Sequence, residues 1–325
     1  MERKNGIDLF RLVGAFFIMM LHTTFGDAKI EYVENLRLLS RWAVPFYFMA
    51  SGYFIGPKII DQNLDFKKIE RNVSVLISIL IVTFLVYVPI SPSNYSIVNL
   101  LVSIHYHLWF IGALLFGYIF LWYIYFIRWS KILPFIASLI LISAIISDAY
   151  DVLFERSFDF ILARFLVAIP FLYIGVIISK VKFNLRVLKL LWFLIVGGFM
   201  LQFMEAHYLK FLFDVNKYTI EFTLGTLIGA LALFVFSTTI KLKENLISTW
   251  GKDHSLFIYL YHPFLYFLLT VFLNKLFPEE QNTITIFFPV IGFMLLLGIA
   301  IFMKRYLGNV YAILNGNFVE LKFKK

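Results

Sequence analysis

The chain has 325 residues, 61% of them hydrophobic and only 15% charged, with a mean hydropathy of +0.84. Soluble proteins run near about 45–50% and 25% on those two counts, so an ordinary globular protein, a disordered chain and a charged coiled coil are all excluded in favour of a polytopic membrane protein. The net charge of +9 suits either nucleic acid or a membrane-orienting bias, and the absence of Cys removes disulfides, thiolate nucleophiles and cysteine metal sites.

About 20 apolar residues cross a bilayer. On that ruler ten hydrophobic segments follow one another near residues 7–25, 41–56, 73–90, 107–127, 132–147, 161–179, 187–204, 221–240, 254–274 and 284–303. The expectation is an all-α integral membrane protein, a bundle of about ten transmembrane helices forming one membrane domain over residues 1–325, with no soluble domain. The first segment lacks a small-residue cleavage site and carries a charged pair, so it is expected to stay as a helix. Of the 29 Lys and Arg, 20 fall on the amino terminus, the loops after segments two, four, six and eight, and the tail, and six fall in the opposite loops. By the positive-inside rule both termini are expected in the cytoplasm. No basic helix or finger stands outside the membrane, so the charge is topological and no nucleic-acid partner is expected.

Three basic residues, Arg11, Arg41 and Arg164, lie inside or at the ends of segments. A charge at a helix centre costs about 2.5–3.5 kcal/mol on insertion scales, so such residues need a reason. In segment one, Asp8 and Arg11 are three apart and can pair on one face, either as an interfacial ion pair or as part of a site. The 11 residues from Arg11 to His22 turn a helix through all but about 20° of whole turns and rise roughly 16 Å. Both side chains therefore face one way, near opposite leaflets.

Segment two opens at Arg41 and runs Trp42-Ala43-Val44-Pro45 onward to Gly52. The loop beyond it carries Lys58, Lys67, Lys68 and Arg71, which serves topology and anionic lipid or docks a phosphorylated molecule. His107 and Trp109, with His105 nearby, open segment four; Arg164 opens segment six; Glu221 opens segment eight. Snorkelling and an interfacial aromatic belt are the plain alternative for these ends. His262 lies midway along segment nine in Tyr261-His262-Pro263, where Pro263 frees a backbone carbonyl. No P-loop, G-x-G-x-x-G, H-E-x-x-H or G-x-S-x-G occurs, and His105 and His107, two apart, diverge on a helix, so no metal is expected.

In this order the residues resemble the bacterial membrane acyltransferase family called acyltransferase 3, whose members O-acylate cell-surface carbohydrates. Gly6-Ile7-Asp8-Leu9-Phe10-Arg11 followed by Leu21-His22 is similar to the family's first-helix signature. Val44-Pro45-Phe46-Tyr47-Phe48 with Ser51-Gly52-Tyr53 is similar to its second. His107-Leu108-Trp109-Phe110, Pro170-Phe171 with Gly175, and Ser255-Leu256-Phe257-Ile258-Tyr259 with His262-Pro263 resemble later blocks. The chain is also similar to the membrane half of membrane-bound serine racemases. It ends shortly after segment ten, with no soluble racemase domain and no fused hydrolase-like domain expected.

The resemblance implies a catalytic His22 with Arg11 in the same site, acetyl-CoA as donor and a hydroxyl of a cell-surface or lipid-linked carbohydrate as acceptor. It implies the bacterial cytoplasmic membrane as the location. Lys67, Lys68 and Arg71 are then expected to hold the CoA nucleotide, and Arg41, His107, Trp109, Arg164 and His262 to serve the acceptor or oxyanion side. His22 acts either as general base or as covalent acyl carrier. The competing function is a transporter or flippase for an amino acid or another small polar solute, which intramembrane His and Arg would also suit. A structural or sensor subunit is a third class.

Overall fold

The computed structural model describes residues 4–22, 31–60, 65–87, 107–153, 160–217, 220–276 and 287–318. Among them the regular structure is helical throughout. The helices are α1 (Asn5–His22), α2 (Glu31–Leu39), α3 (Ala43–Ile59), α4 (Lys67–Tyr87), α5 (Trp109–Phe126), α6 (Leu133–Asp148) and α7 (Phe160–Leu166). They continue as α8 (Ala168–Ile178), α9 (Leu188–Phe213), α10 (Leu224–Thr239), α11 (Leu246–Leu276), α12 (Phe288–Tyr306) and α13 (Gly308–Leu314). Backbone N–H and C=O groups find no water in hydrocarbon, so a chain this apolar must satisfy them inside its own helices.

Seven helices among the described residues are long and apolar enough to cross a membrane: α1, α4, α5, α6 with its preceding turn, α9, α11 and α12. The protein is an integral membrane protein. The described residues of the hydrophobic segments read from the sequence are mostly helical, but seven rather than ten helices have the length and hydropathy of a span, and α8 and α10 are shorter apolar helices. The sixth segment is divided into α7 and α8 around Val167. Pro170 sits in the first turn of α8, where its missing N–H leaves no bond unmade. Helix α2 falls in what reads as a loop; it is too polar to stand out by hydropathy, yet it buries Leu38 and Glu34.

Helix α1 lies at the centre, with 56% of its span buried against 22% for the span containing α9, which is peripheral. The most extensive pairings are α9 with α10, α3 with α8, and α1 with α11. Small residues allow the backbones that close approach, in keeping with membrane helix packing. A methyl group placed on Gly251 of α11 would come within 1.8 Å of the Asp8 carbonyl oxygen on α1. On α3, one placed on Gly52 would meet the Leu172 carbonyl of α8 at 2.1 Å, and one on Gly175 of α8 would meet the Met49 carbonyl at 2.1 Å. The Gly251 contact fixes α1 against α11, the two helices that carry His22 and His262, and the other two fix α3 against α8.

Candidate functional site

Three histidines from three parts of the chain converge. The ring of His22 lies 5.0 Å from that of His262 and 6.4 Å from that of His107, and the His107 and His262 rings are 5.2 Å apart, centroid to centroid. His262 and His107 are buried and His22 is half-buried. A backbone carbonyl, which only accepts, fixes the tautomer of each neutral ring. His22 Nδ1 donates to the Ile18 carbonyl at 2.9 Å, so its Nε2 carries the lone pair. His262 Nδ1 donates to the Tyr259 carbonyl at 2.8 Å, and its buried Nε2 has no hydrogen-bond partner among the described residues. His107 Nε2 donates to the Leu260 carbonyl at 3.1 Å.

The local sequence explains the second of these bonds. Pro263 has no N–H, so the carbonyl four residues back, that of Tyr259, loses its helical donor. The ring of His262 supplies the replacement. The next carbonyl, Leu260, accepts from His107 and also from the Tyr87 hydroxyl at 2.7 Å. The Tyr259 hydroxyl donates to the His107 carbonyl, so one turn of α11 positions both buried histidines. Tyr266 completes the link to α1 by donating to the Met19 carbonyl at 3.1 Å.

Beside His22 lies a cavity of about 20 Å³, lined also by Arg41, His107, Trp109, Phe110, Glu221 and Tyr259. That is room for roughly one water. Arg41 Nη1 stands 3.4 Å from Glu221 Oε1, and both side chains are largely buried. Asp148 fixes the approach to α10 by accepting from the backbone N–H groups of Glu221 at 2.6 Å and Phe222 at 2.5 Å. Thr223 caps that helix, its hydroxyl accepting from the Thr226 N–H at 3.0 Å.

Toward the amino-terminal end of α1 opens a second cavity of about 450 Å³. Arg11, Lys58, Arg71 and Asn72 line it together with Ser51, Tyr118 and aliphatic residues of α4 and α5. Arg11 remains paired with Asp8 at 3.4 Å, and Lys58 donates to Asn72 Oδ1 at 2.6 Å. Phe110 and Tyr259 line both this basic cavity and the small histidine cavity, so they stand as a wall between the two. Their rings are 5.4 Å apart, and Tyr47 packs 6.2 Å from Phe110 while donating to the Arg11 carbonyl at 2.5 Å.

The structure thus brings His22, His107, His262, Arg41 and Trp109 together on one side of the wall, and Arg11 and Arg71 on the other. Lys67 and Lys68 sit in the first turn of α4 and line neither cavity. Arg164 belongs to α7, and its side chain falls outside the described residues, as does His105. Among the described residues no three His, Asp or Glu side chains are grouped to hold a metal ion. Phe110 and Tyr259 stand in two of the sequence blocks that carry the family resemblance, but nothing in the sequence marks them as a wall, and Phe110 is one of 39 phenylalanines.

A family profile described as an acyltransferase domain, acyltransferase 3, matches residues 4–303. Two curated relatives, both from Enterococcus faecalis and both named amino-acid racemase, are similar to this chain. One is 24% identical over 323 residues, covering 89% of this chain and 45% of its own length. The other is 30% identical over 162 residues, covering 46% of this chain and 22% of its own length. The chain therefore spans less than half the length of these relatives. No solved structure matches it.

Proposed function

This chain belongs to the acyltransferase 3 family, and on that premise we propose that it moves an acyl group, acetyl in the first instance, from cytoplasmic acyl-CoA to a hydroxyl of a cell-surface or lipid-linked carbohydrate. The observation that carries this reading is the pair of cavities meeting at Phe110 and Tyr259, one basic and one holding His22. The helices cross the bacterial cytoplasmic membrane ten times with both termini inside, in keeping with 20 of 29 basic residues on one set of loops.

The basic cavity takes the thioester arm. Its volume lies in the range of about 300–1,000 Å³ usual for small-molecule sites. Arg71 and Lys58 meet phosphate at its rim, and Lys67 and Lys68 add charge farther out along α4. Arg11 supports the donor from the same side. The acyl carbon passes the aromatic wall to reach His22.

There His22 Nε2 takes the proton of the acceptor hydroxyl as the oxygen forms its bond to the acyl carbon. The carbon–sulfur bond breaks, and the CoA thiolate leaves and receives a proton, so one ester and one thiol replace one thioester and one alcohol. Arg41 and Trp109 line the same small cavity and steady the charge that develops on the acyl oxygen. His107 and His262 flank the base on the acceptor side, their rings 6.4 Å and 5.0 Å from that of His22. The racemase activity named for the relatives is not carried over, because the match covers less than half of them.

Purified protein incubated with labelled acetyl-CoA, with and without envelope glycans and lipids, tests this. Acceptor-dependent release of free CoA is the expected result. Binding without any CoA release under either condition, together with uptake of an amino acid into proteoliposomes, would replace the transferase with a transporter.

A further inference from the structure

A third cavity, of about 360 Å³, reaches His22 from the other side. Arg37, Pro263, Tyr266, Phe267, Thr270 and Phe288 line it with His22, so it lies among α1, α2, α11 and α12. Phe267 is 45% exposed, which brings this cavity to the protein surface. The surface there is hydrocarbon in character. Leu268, Val271 and Phe272 on α11 and Val290, Ile291 and Met294 on α12 are all exposed. Such a belt on a helix long and apolar enough to cross the bilayer faces lipid rather than water.

Size decides which route an acceptor can use. The cavity beside Arg41 and Glu221 has room for roughly one water, far too little for a sugar. The basic cavity lies behind the wall of Phe110 and Tyr259. Of the three, the side cavity alone both touches His22 and has the volume of a ligand site. Its lining is aromatic apart from His22, Pro263, Thr270 and Arg37, and Arg is the usual partner of phosphate.

Resting on the transferase reading, we propose that the acceptor is a membrane-borne amphiphile that enters this side cavity from the bilayer. Its phosphate-linked, hydroxyl-bearing head lies between Arg37 and His22, and its hydrocarbon tail extends past Phe267 and Phe288 into the lipid. Among the described residues neither of the other two cavities offers a sugar-sized group a way to His22. The lipid solvates the tail throughout, so only the head is desolvated on entry.

The test divides cell envelopes into a chloroform–methanol lipid extract and a water-soluble glycan fraction, and offers each, with labelled acetyl-CoA, to the protein in phosphatidylglycerol–phosphatidylethanolamine liposomes. Label is expected in the lipid extract at a rate at least tenfold above the soluble fraction. Label entering soluble glycans equally well overturns the side route. No CoA release with either fraction refutes the transferase reading itself. Thr270→Trp, which fills the cavity from α11, is expected to cut lipid labelling at least tenfold while acetyl-CoA binding persists. Transfer at the wild-type rate in that variant would also overturn the proposal.

Discussion

At the scale of single residues, the chemistry rests on which nitrogen of each histidine is occupied. The carbonyls of Ile18, Tyr259 and Leu260 hold one N–H of each ring, which puts the lone pair of the His22 imidazole on Nε2. Phe110 and Tyr259 matter for a different reason, since any acyl group travelling from the basic cavity must pass them. On the transferase reading a longer acyl chain must displace these rings further than an acetyl group does. Phe110→Ala should therefore raise the rate with butyryl- and octanoyl-CoA relative to acetyl-CoA, measured as CoA release across the series. An unchanged chain-length profile in a folded variant would show that the acyl group takes another path. The ionisable residues were legible in the sequence because a charge or imidazole in hydrocarbon is costly and stands out. Phe110 stands in the His107-Leu108-Trp109-Phe110 block, but its place in a wall was not legible, because a wall-forming Phe and a lipid-facing Phe have the same hydropathy and only packing tells them apart. Lys67 and Lys68 show the converse. Their charge drew attention in the sequence, but on α4 they lie a turn away from the rim that Arg71 reaches.

At the scale of elements, α11 is the part whose local geometry does most for the site. Its proline removes one helical hydrogen bond, and His262 takes the carbonyl that is released. Pro263→Ala restores an N–H that competes for the Tyr259 carbonyl and frees the His262 ring to turn. Replacing an interior proline removes a helix penalty of about 3 kcal/mol, so the variant should melt at a higher temperature while CoA release slows several-fold. Retention of full turnover with raised stability would mean that the His262 orientation is immaterial. The Tyr-His-Pro sequence made a freed carbonyl legible beforehand, but the donor that occupies it became visible only in three dimensions. Helix α2 was hidden for another reason. Its alternation of buried and polar residues is that of an ordinary amphipathic helix, with Leu38 and Glu34 buried, so a search for long apolar runs passes over it.

At the scale of the whole molecule, three cavities reach or approach one histidine from three directions, and α1 runs through the middle of them. The hydrophobic segments made an all-helical membrane protein legible and charge bias gives an expected orientation, but convergence of residues 22, 107 and 262 depends on how helices distant in sequence pack. Small residues such as Gly251 set that packing at separations no hydropathy profile records. The orientation itself is open to direct measurement. Reporter fusions near Lys182 and in the carboxy-terminal tail should read cytoplasmic and one near Ile220 external, whereas the reverse pattern would turn the donor and acceptor sides around. The central claim, that donor held on the basic side is transferred by a base on the far side of the wall, is tested most directly by comparing purified wild type with His22→Ala for CoA release at matched acetyl-CoA occupancy. General base catalysis is typically worth about 10²–10⁴-fold, and the variant is expected to bind the donor normally while losing turnover on that scale. Near wild-type release by His22→Ala would contradict it and leave His262 or His107 as the base.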